Sequence, residues 1–171
     1  YFASSMHSLS QSRLALVNIP GVYLKYSDYY LAALYFHPNA NEATDKKIEK
    51  NALWAHGISG DLPIVCVVLP SDFSPICKKI CDTLIRIHRL CRIRGKLSDL
   101  VFIVNEADGY NTRVKNTLSS IISECGSSEL FCRYGGIFVV SDPSPGEIFS
   151  YVSALFVRLE RDSSIEDIFH T

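Results

Sequence analysis

The sequence predicts an α/β fold with a mainly parallel sheet of about five strands flanked by helices in three layers. Two observations carry that expectation. Short unbroken apolar runs suit strands buried on both faces: PIVCVVL over Pro63–Leu69, LVFIV over Leu100–Val104 and IFVV over Ile137–Val140. Helical patterns alternate with these runs, which implies right-handed crossovers and a parallel sheet. At 171 residues the chain suits one domain, large enough to bury roughly 70% of its unfolded surface.

Taken in order, residues 1–12 read as an N-terminal extension, and RLALVNI over Arg13–Ile19 as a first strand closed by Pro20-Gly21. Ser27-Asp28 is placed to cap a helix carrying Tyr30, Leu31, Leu34 and Tyr35, which stops at Pro38. Asn39–Lys50 is polar, a surface excursion, and Ala52–Gly57 adds a brief helical turn. After the second strand at Pro63–Leu69, Pro70-Ser71-Asp72 makes a turn. Ser74 then caps a helix with Pro75 at its first position. The expected apolar seam of that helix is Ile76, Ile80, Leu84, Ile87 and Cys91. Beyond the third strand, Asn111 or Thr112 caps a helix with Val114, Leu118, Ile121 and Ile122 inward. Gly126–Gly136 reads as a loop, Ile137–Val140 as a fourth strand, Gly146–Val152 as a helix and Ala154–Leu159 as a fifth strand.

The hydrophobic fraction of 47% and charged fraction of 20% are ordinary for a globular protein. A net charge of −1 gives the whole chain no electrostatic footprint for nucleic acid. The six cysteines form no CxxC pair and mostly read as buried small hydrophobes, as expected of a reducing cytoplasmic or nuclear compartment. Cys77 and Cys81 stand one helical turn apart, but no nearby His completes a metal set. No apolar run approaches the ~20 residues that span a bilayer, so no membrane partner is expected. The chain opens at Tyr1 without a Met, as a piece of a longer protein would.

The richest stretch is Leu100–Asp108, LVFIVNEAD, where acids stand at the point a buried strand emerges. Open α/β sheets bind ligands there, outside the carboxyl ends of the strands. In P-loop ATPases this strand end carries the Asp that holds Mg²⁺. Here Asn105 stands at that position, Glu106 follows, and Asp108 lies two further on. Glu106 is the candidate for polarising water, and Asn105 and Asp108 are the candidate metal ligands. An Asn brings no negative charge, so Mg²⁺ affinity is expected to fall. Equally, these polar residues can simply end a strand and start a turn. The loop NIPGVYLKYS over Asn18–Ser27, set against GxxxxGK[ST], places Lys25 at the Lys position. Ile19 and Leu24 occupy the two Gly positions and Tyr26 the hydroxyl position, which obstructs a phosphate cradle. Lys25 and Ser27 remain the candidate phosphate-side residues, although a lone Lys after a strand is most often a solvated surface group.

With these residues in place, the chain resembles the initiator and clamp-loader clade of AAA+ ATPases, most of all origin recognition complex subunits. NEAD followed by Asn116-Thr117-Leu118 matches that family's acidic strand and next helix in spacing. The polar sensor role falls to Ser141 or Asp142 in IFVVSD, and Ala154 stands where an Arg finger is usual. The likeness runs from Arg13 to Ile168, so residues 13–162 would be the AAA+-like, P-loop NTPase-like domain. Residues 163–171 would begin a helical lid, with a winged helix further on. The resemblance implies a non-catalytic architectural subunit of a DNA-replication assembly, partnered by other AAA+ subunits around DNA. ATP and Mg²⁺ would be held weakly or not at all, through Lys25, Ser27, Asn105, Glu106, Asp108, Ser141 and Asp142.

Lys78, Lys79, Arg86, Arg89, Arg92, Arg94 and Lys96 cluster on the helix before the key strand and its exit. Such a row serves a DNA channel or an acidic partner, or is the solvated face of an amphipathic helix. A second class fits some of the same residues: LVNIPG over Leu16–Gly21 resembles the LVDxPG switch of dynamin- and Era-like GTPases, with NEAD in place of NKxD. A third is a nucleotide-free scaffold on the same fold. A thiol enzyme ranks last, because no Cys falls at a strand end beside a His.

Overall fold

The computed structural model describes residues 21, 24–36, 51–105, 111–142 and 147–169. Four strands, β1 (Ile64–Leu69), β2 (Asp99–Asn105), β3 (Ile137–Asp142) and β4 (Leu155–Arg158), form one sheet in the order β3-β2-β1-β4. Every pairing is parallel, with Val65 opposite both Leu100 and Leu155, and Leu100 opposite Ile137. The expected first strand, Arg13–Ile19, lies outside the described residues, as do residues 1–12.

The unbroken apolar runs have the meaning expected of them. Val65, Val67 and Leu69 face one side with Leu100, Phe102 and Val104, while Ile64, Cys66 and Val68 face the other with Val101, Ile103, Phe138 and Val140. Both faces of the central strands are covered, so β1 and β2 carry unbroken apolar runs, IVCVVL and LVFIV. The first face carries α1 (Leu24–Phe36), α2 (Pro75–Ile93), α3 (Asn111–Glu124) and α5 (Ile165–Phe169); the second carries residues 51–58 and α4 (Glu147–Val152).

The connections explain the strand order. α2 and α3 each carry the chain one strand outward, from β1 to β2 to β3, on the first face. α4 carries it back past β1 to β4, and its Phe149 is buried on the second face. With crossovers of one hand, reversing the direction of travel puts the connecting helix on the opposite face.

Ser74 caps α2 as its sequence predicts: it is extended (φ −66°, ψ 162°) and its Oγ accepts from Cys77 N at 3.2 Å, with Pro75 in the first turn. The apolar seam needs correcting. Ile76 is 51% exposed, and Cys77 is buried in its place. α2 lies on the sheet between α1 and α3, so its buried arc is wider than one residue per turn. Ile80, Cys81, Leu84, Ile85, Ile87, His88, Leu90 and Cys91 are all inside.

Ser27 does not cap α1. That helix begins at Leu24, and Ser27 is buried in its first turn, donating to Leu24 O at 2.7 Å and accepting from Arg94 Nη1 at 3.2 Å. α3 meets its expectation, with Val114, Leu118, Ile121 and Ile122 buried. Gly126–Gly136 is less irregular than expected, containing a 3-10 turn at Ser128–Leu130. Ile165–Phe169, expected to open a lid, packs against α1. Phe169 stacks on Tyr26 and Tyr29 at 5.6 and 6.3 Å between ring centres, and the Tyr26 hydroxyl donates to Glu166. Among the described residues, no helix is long and apolar enough to cross a membrane.

Candidate functional site

In a sheet ordered β3-β2-β1-β4 the direction of winding reverses between β1 and β4, and ligands of open α/β sheets favour that crevice. Here the chain itself fills it. The segment after β4 folds over the start of α2. Ser74 Oγ donates to Arg161 O at 3.2 Å, Cys77 Sγ approaches Glu160 O at 3.4 Å, and Arg161 Nε pairs with Asp72 Oδ2 at 3.5 Å.

An open cleft lies one strand along, at the carboxyl ends of β1 and β2. Its volume is about 510 Å³, and among the described residues its lining includes Ser71, Asp72, Phe73, Lys78, Arg113, Val114 and Thr117. The turn after β1 supplies Ser71–Phe73, the first turns of α2 supply Lys78, and the start of α3 supplies the rest. Lys78 and Arg113 form no ion pair among the described residues. Thr117 Oγ1 donates to Arg113 O at 2.9 Å and keeps its lone pairs for an incoming donor. Among the described residues no His, Cys or Glu lines the cleft, and the one acid of the described lining, Asp72, faces Arg161.

The residues singled out from the sequence fall into separate groups. Asn105 ends β2 opposite Asp142, the last residue of β3, so these two backbones meet at the carboxyl edge. Ser141 sits opposite Val104 on the same edge. The side chains of Asn105 and Asp142, and all of Glu106 and Asp108, lie outside the described residues. Ser27 is elsewhere, beside Arg94 just past the end of α2, where the chain turns back toward the start of β2. Lys25 lies on α1 with Nζ 4.8 Å from the Tyr26 ring centre. The structure therefore brings Asn105, Ser141 and Asp142 to one edge and does not bring Ser27 to it.

The basic row turns inward over most of its length. Arg86 grips Asp82 with two bonds of 2.9 Å; Arg89 donates to Cys125 O at 2.9 Å; Arg92 donates to Gly135 O at 2.7 Å and Tyr134 O at 3.3 Å. Arg94 binds Ser27 and faces Asp28 at 3.7 Å. Lys96 covers the Tyr35 ring at 5.1 Å. Lys79 is exposed, and Lys78 alone of the row reaches the cleft. Arg113, Ser71, Asp72, Phe73 and Thr117 were not read from the sequence as site residues. The signal was available: the carboxyl-end rule applies to β1 as well as β2, and PSDFSP directly follows β1.

The perturbed titratable groups sit away from this cleft. Burial pushes the Asp99 carboxyl up to about 6, against the lowering effect of bonds from the Gly135 and Gly136 amides. Burial pulls His88 down to about 4, its Nε2 lying 2.9 Å from Ser98 O. Burial also raises the thiols of Cys91 and Cys125 to about 12, and that of Cys81 upward. These are protonated, inert packing groups. Among the described residues no cluster of His, Cys, Asp and Glu could hold a metal ion.

No protein-family model matches the chain, and no solved structure matches it. The chain is similar to the cyclic beta-(1,2)-glucan synthase NdvB of Rhizobium meliloti strain 1021, at 29% identity over 113 residues. That stretch is 66% of this chain, and the chain spans 4% of the length of the synthase.

Proposed function

We propose that this chain is a ligand-binding α/β module of a glucan-forming protein, and that its carboxyl-edge cleft holds a glucosyl-bearing ligand without making or breaking bonds in it. The observation that carries this is the cleft itself. A volume of about 510 Å³ lies within the usual small-molecule range of ~300–1,000 Å³. It occupies the edge where open α/β sheets bind ligands. Phe73 offers an apolar wall, and Ser71, Asp72 and Thr117 offer partners for sugar hydroxyls. The partial likeness to a glucan synthase supplies the glucosyl part of the proposal.

Binding is favoured over catalysis on chemical grounds. Glycosyl chemistry ordinarily uses two carboxylates, one proton donor and one base or nucleophile. The described lining has one, turned to Arg161. A module of a glucan-forming protein is placed ahead of a DNA-ring subunit because four arginines of the basic row are bonded to this chain's own atoms.

Amide resonances of the full 171-residue chain, followed during titration with glucose, a β-(1,2)-linked glucose disaccharide and glucose 1-phosphate, test the proposal. Shifts should centre on Ser71–Phe73 and Arg113–Thr117. If none of the three ligands moves those signals, the glucosyl reading fails.

A further inference from the structure

The charge arrangement of the cleft is unusual for the elements that build it. A helix N-terminus carries a partial positive charge, so acids are favoured in the first turn and cations are disfavoured there. Neither α2 nor α3 has an acid in its first turn. Instead Lys78 and Arg113, at the starts of these two helices, line the same cavity. Neither cation has a carboxylate partner among the described residues, although Asp72 shares the lining; Asp72 faces Arg161 instead. The arginines of α2 show the contrast, since Arg86, Arg89 and Arg92 are all bonded within the fold. Two cations gathered where the backbone already disfavours positive charge would be stabilised by an anionic occupant.

We propose that the cleft binds a phosphorylated saccharide, its phosphate held between Lys78 and Arg113 and its sugar ring laid against Phe73. The guanidinium offers a planar fork to two phosphate oxygens and the ammonium a point charge. Thr117 and Ser71 stand in the same lining to meet the remaining phosphate or hydroxyl oxygens. The phosphate half rests on the cleft alone. The saccharide half rests on the glucan reading above.

Calorimetric titration of the full chain with glucose 1-phosphate, glucose, inorganic phosphate and ADP separates the two halves. Glucose 1-phosphate should bind about tenfold or more tighter than glucose, and its affinity should fall as salt is raised. Lys78→Gln and Arg113→Gln should each weaken it by about tenfold. Lys79→Gln, an exposed neighbour outside the lining, should leave it unchanged. Phe73→Leu keeps apolar packing without the ring. It should weaken glucose 1-phosphate and leave inorganic phosphate alone. Thermal melting of each variant checks that the fold is kept.

Glucose binding as tightly as glucose 1-phosphate would overturn the phosphate half while leaving the glucan reading standing. Inorganic phosphate binding as tightly as glucose 1-phosphate, unaffected by Phe73→Leu, would overturn the saccharide half and keep an anion site. ADP binding more tightly than glucose 1-phosphate would make this a nucleotide site and overturn the proposal. Binding by none of the four overturns both halves.

Discussion

Arg92 and Asp99 hold the same residue from two sides: Arg92 Nη1 donates to Gly135 O at 2.7 Å, and Asp99 Oδ1 accepts from Gly135 N at 2.9 Å. One partner comes from the last turn of α2 and the other from the first residue of β2. Together they fix the turn that delivers the chain into β3. Asp99 is 1% exposed, and its Oδ2 has no hydrogen-bond partner. A carboxylate held this way costs stability when charged, which is why burial raises its pKa.

Asp99 and His88 should therefore pull the pH dependence of stability in opposite directions. Asp99 rises from 3.8 to about 6 on folding, so the folded state binds its proton more tightly. Its contribution is full below pH 3.8 and is lost as pH rises through about 6. His88 falls from 6.5 to about 4. Its contribution is present above pH 6.5 and is lost as pH falls through about 4. Each swing is on the order of 3 kcal/mol, so the two largely offset each other between pH 4 and 6.5. Urea midpoints across this range should show it. Relative to the parent, Asp99→Asn should lose stability progressively on acidification, and His88→Gln should gain. Parallel profiles for the two variants would contradict the assignment.

Gly136 should tolerate no side chain. A Cβ there would lie 2.1 Å from Leu130 O and 2.6 Å from Arg133 O, both backbone atoms that cannot swing aside. Gly136→Ala should cost about 3 kcal/mol or more, or prevent β3 from docking. Gly95→Ala meets nothing within 4 Å and strains only the backbone, at φ +79°. It should cost about 1 kcal/mol. Equal losses in denaturant unfolding would show that the close approach at Gly136 is not what matters.

Arg92→Ala distinguishes a structural cation from a nucleic-acid contact. The guanidinium satisfies two backbone carbonyls, so its loss should lower stability by about 1–2 kcal/mol. Fluorescence anisotropy with duplex DNA at low salt should register no change on the same substitution. A drop in DNA affinity with unchanged stability would restore the reading of this row as a channel lining.

These contrasts mark which features were legible in the sequence. The central strands β1 and β2 were readable because burial on both faces needs an unbroken apolar run, as IVCVVL and LVFIV show, whereas the edge strand β4, LFVR, is half-buried and ends in exposed Arg158. Burial of α2 and α3 was readable in outline, but Ile76 and Cys77 differ by 100° around the helix, and the repeat alone could not choose between them. Ser27 misled because a Ser three residues into a helix looks like its cap. The arginines misled because sequence shows charge and not direction; Arg89 and Arg92 reach carbonyls some forty residues away in the chain. The cleft stayed hidden because LVFIVNEAD drew attention to one strand end, whereas the cavity is built at two.

Ser74 joins local and long-range order, and its removal should reveal both. Its Oγ accepts from Cys77 N, closing the first turn of α2, and donates to Arg161 O at 3.2 Å, closing the crevice beside β4. Ser74→Ala removes both bonds and should cost about 1–2 kcal/mol. Ser74→Asp keeps the cap acceptor but cannot donate to the carbonyl. It should recover helix stability while leaving residues 159–164 less protected. Hydrogen exchange resolves the two effects: the amides of Cys77 and Lys78 report the cap, and that of Leu159, bonded to Val68 O at 2.9 Å, reports the closure. If Ser74→Asp protects Leu159 as well as the parent does, the Arg161 contact plays no part in sealing the crevice.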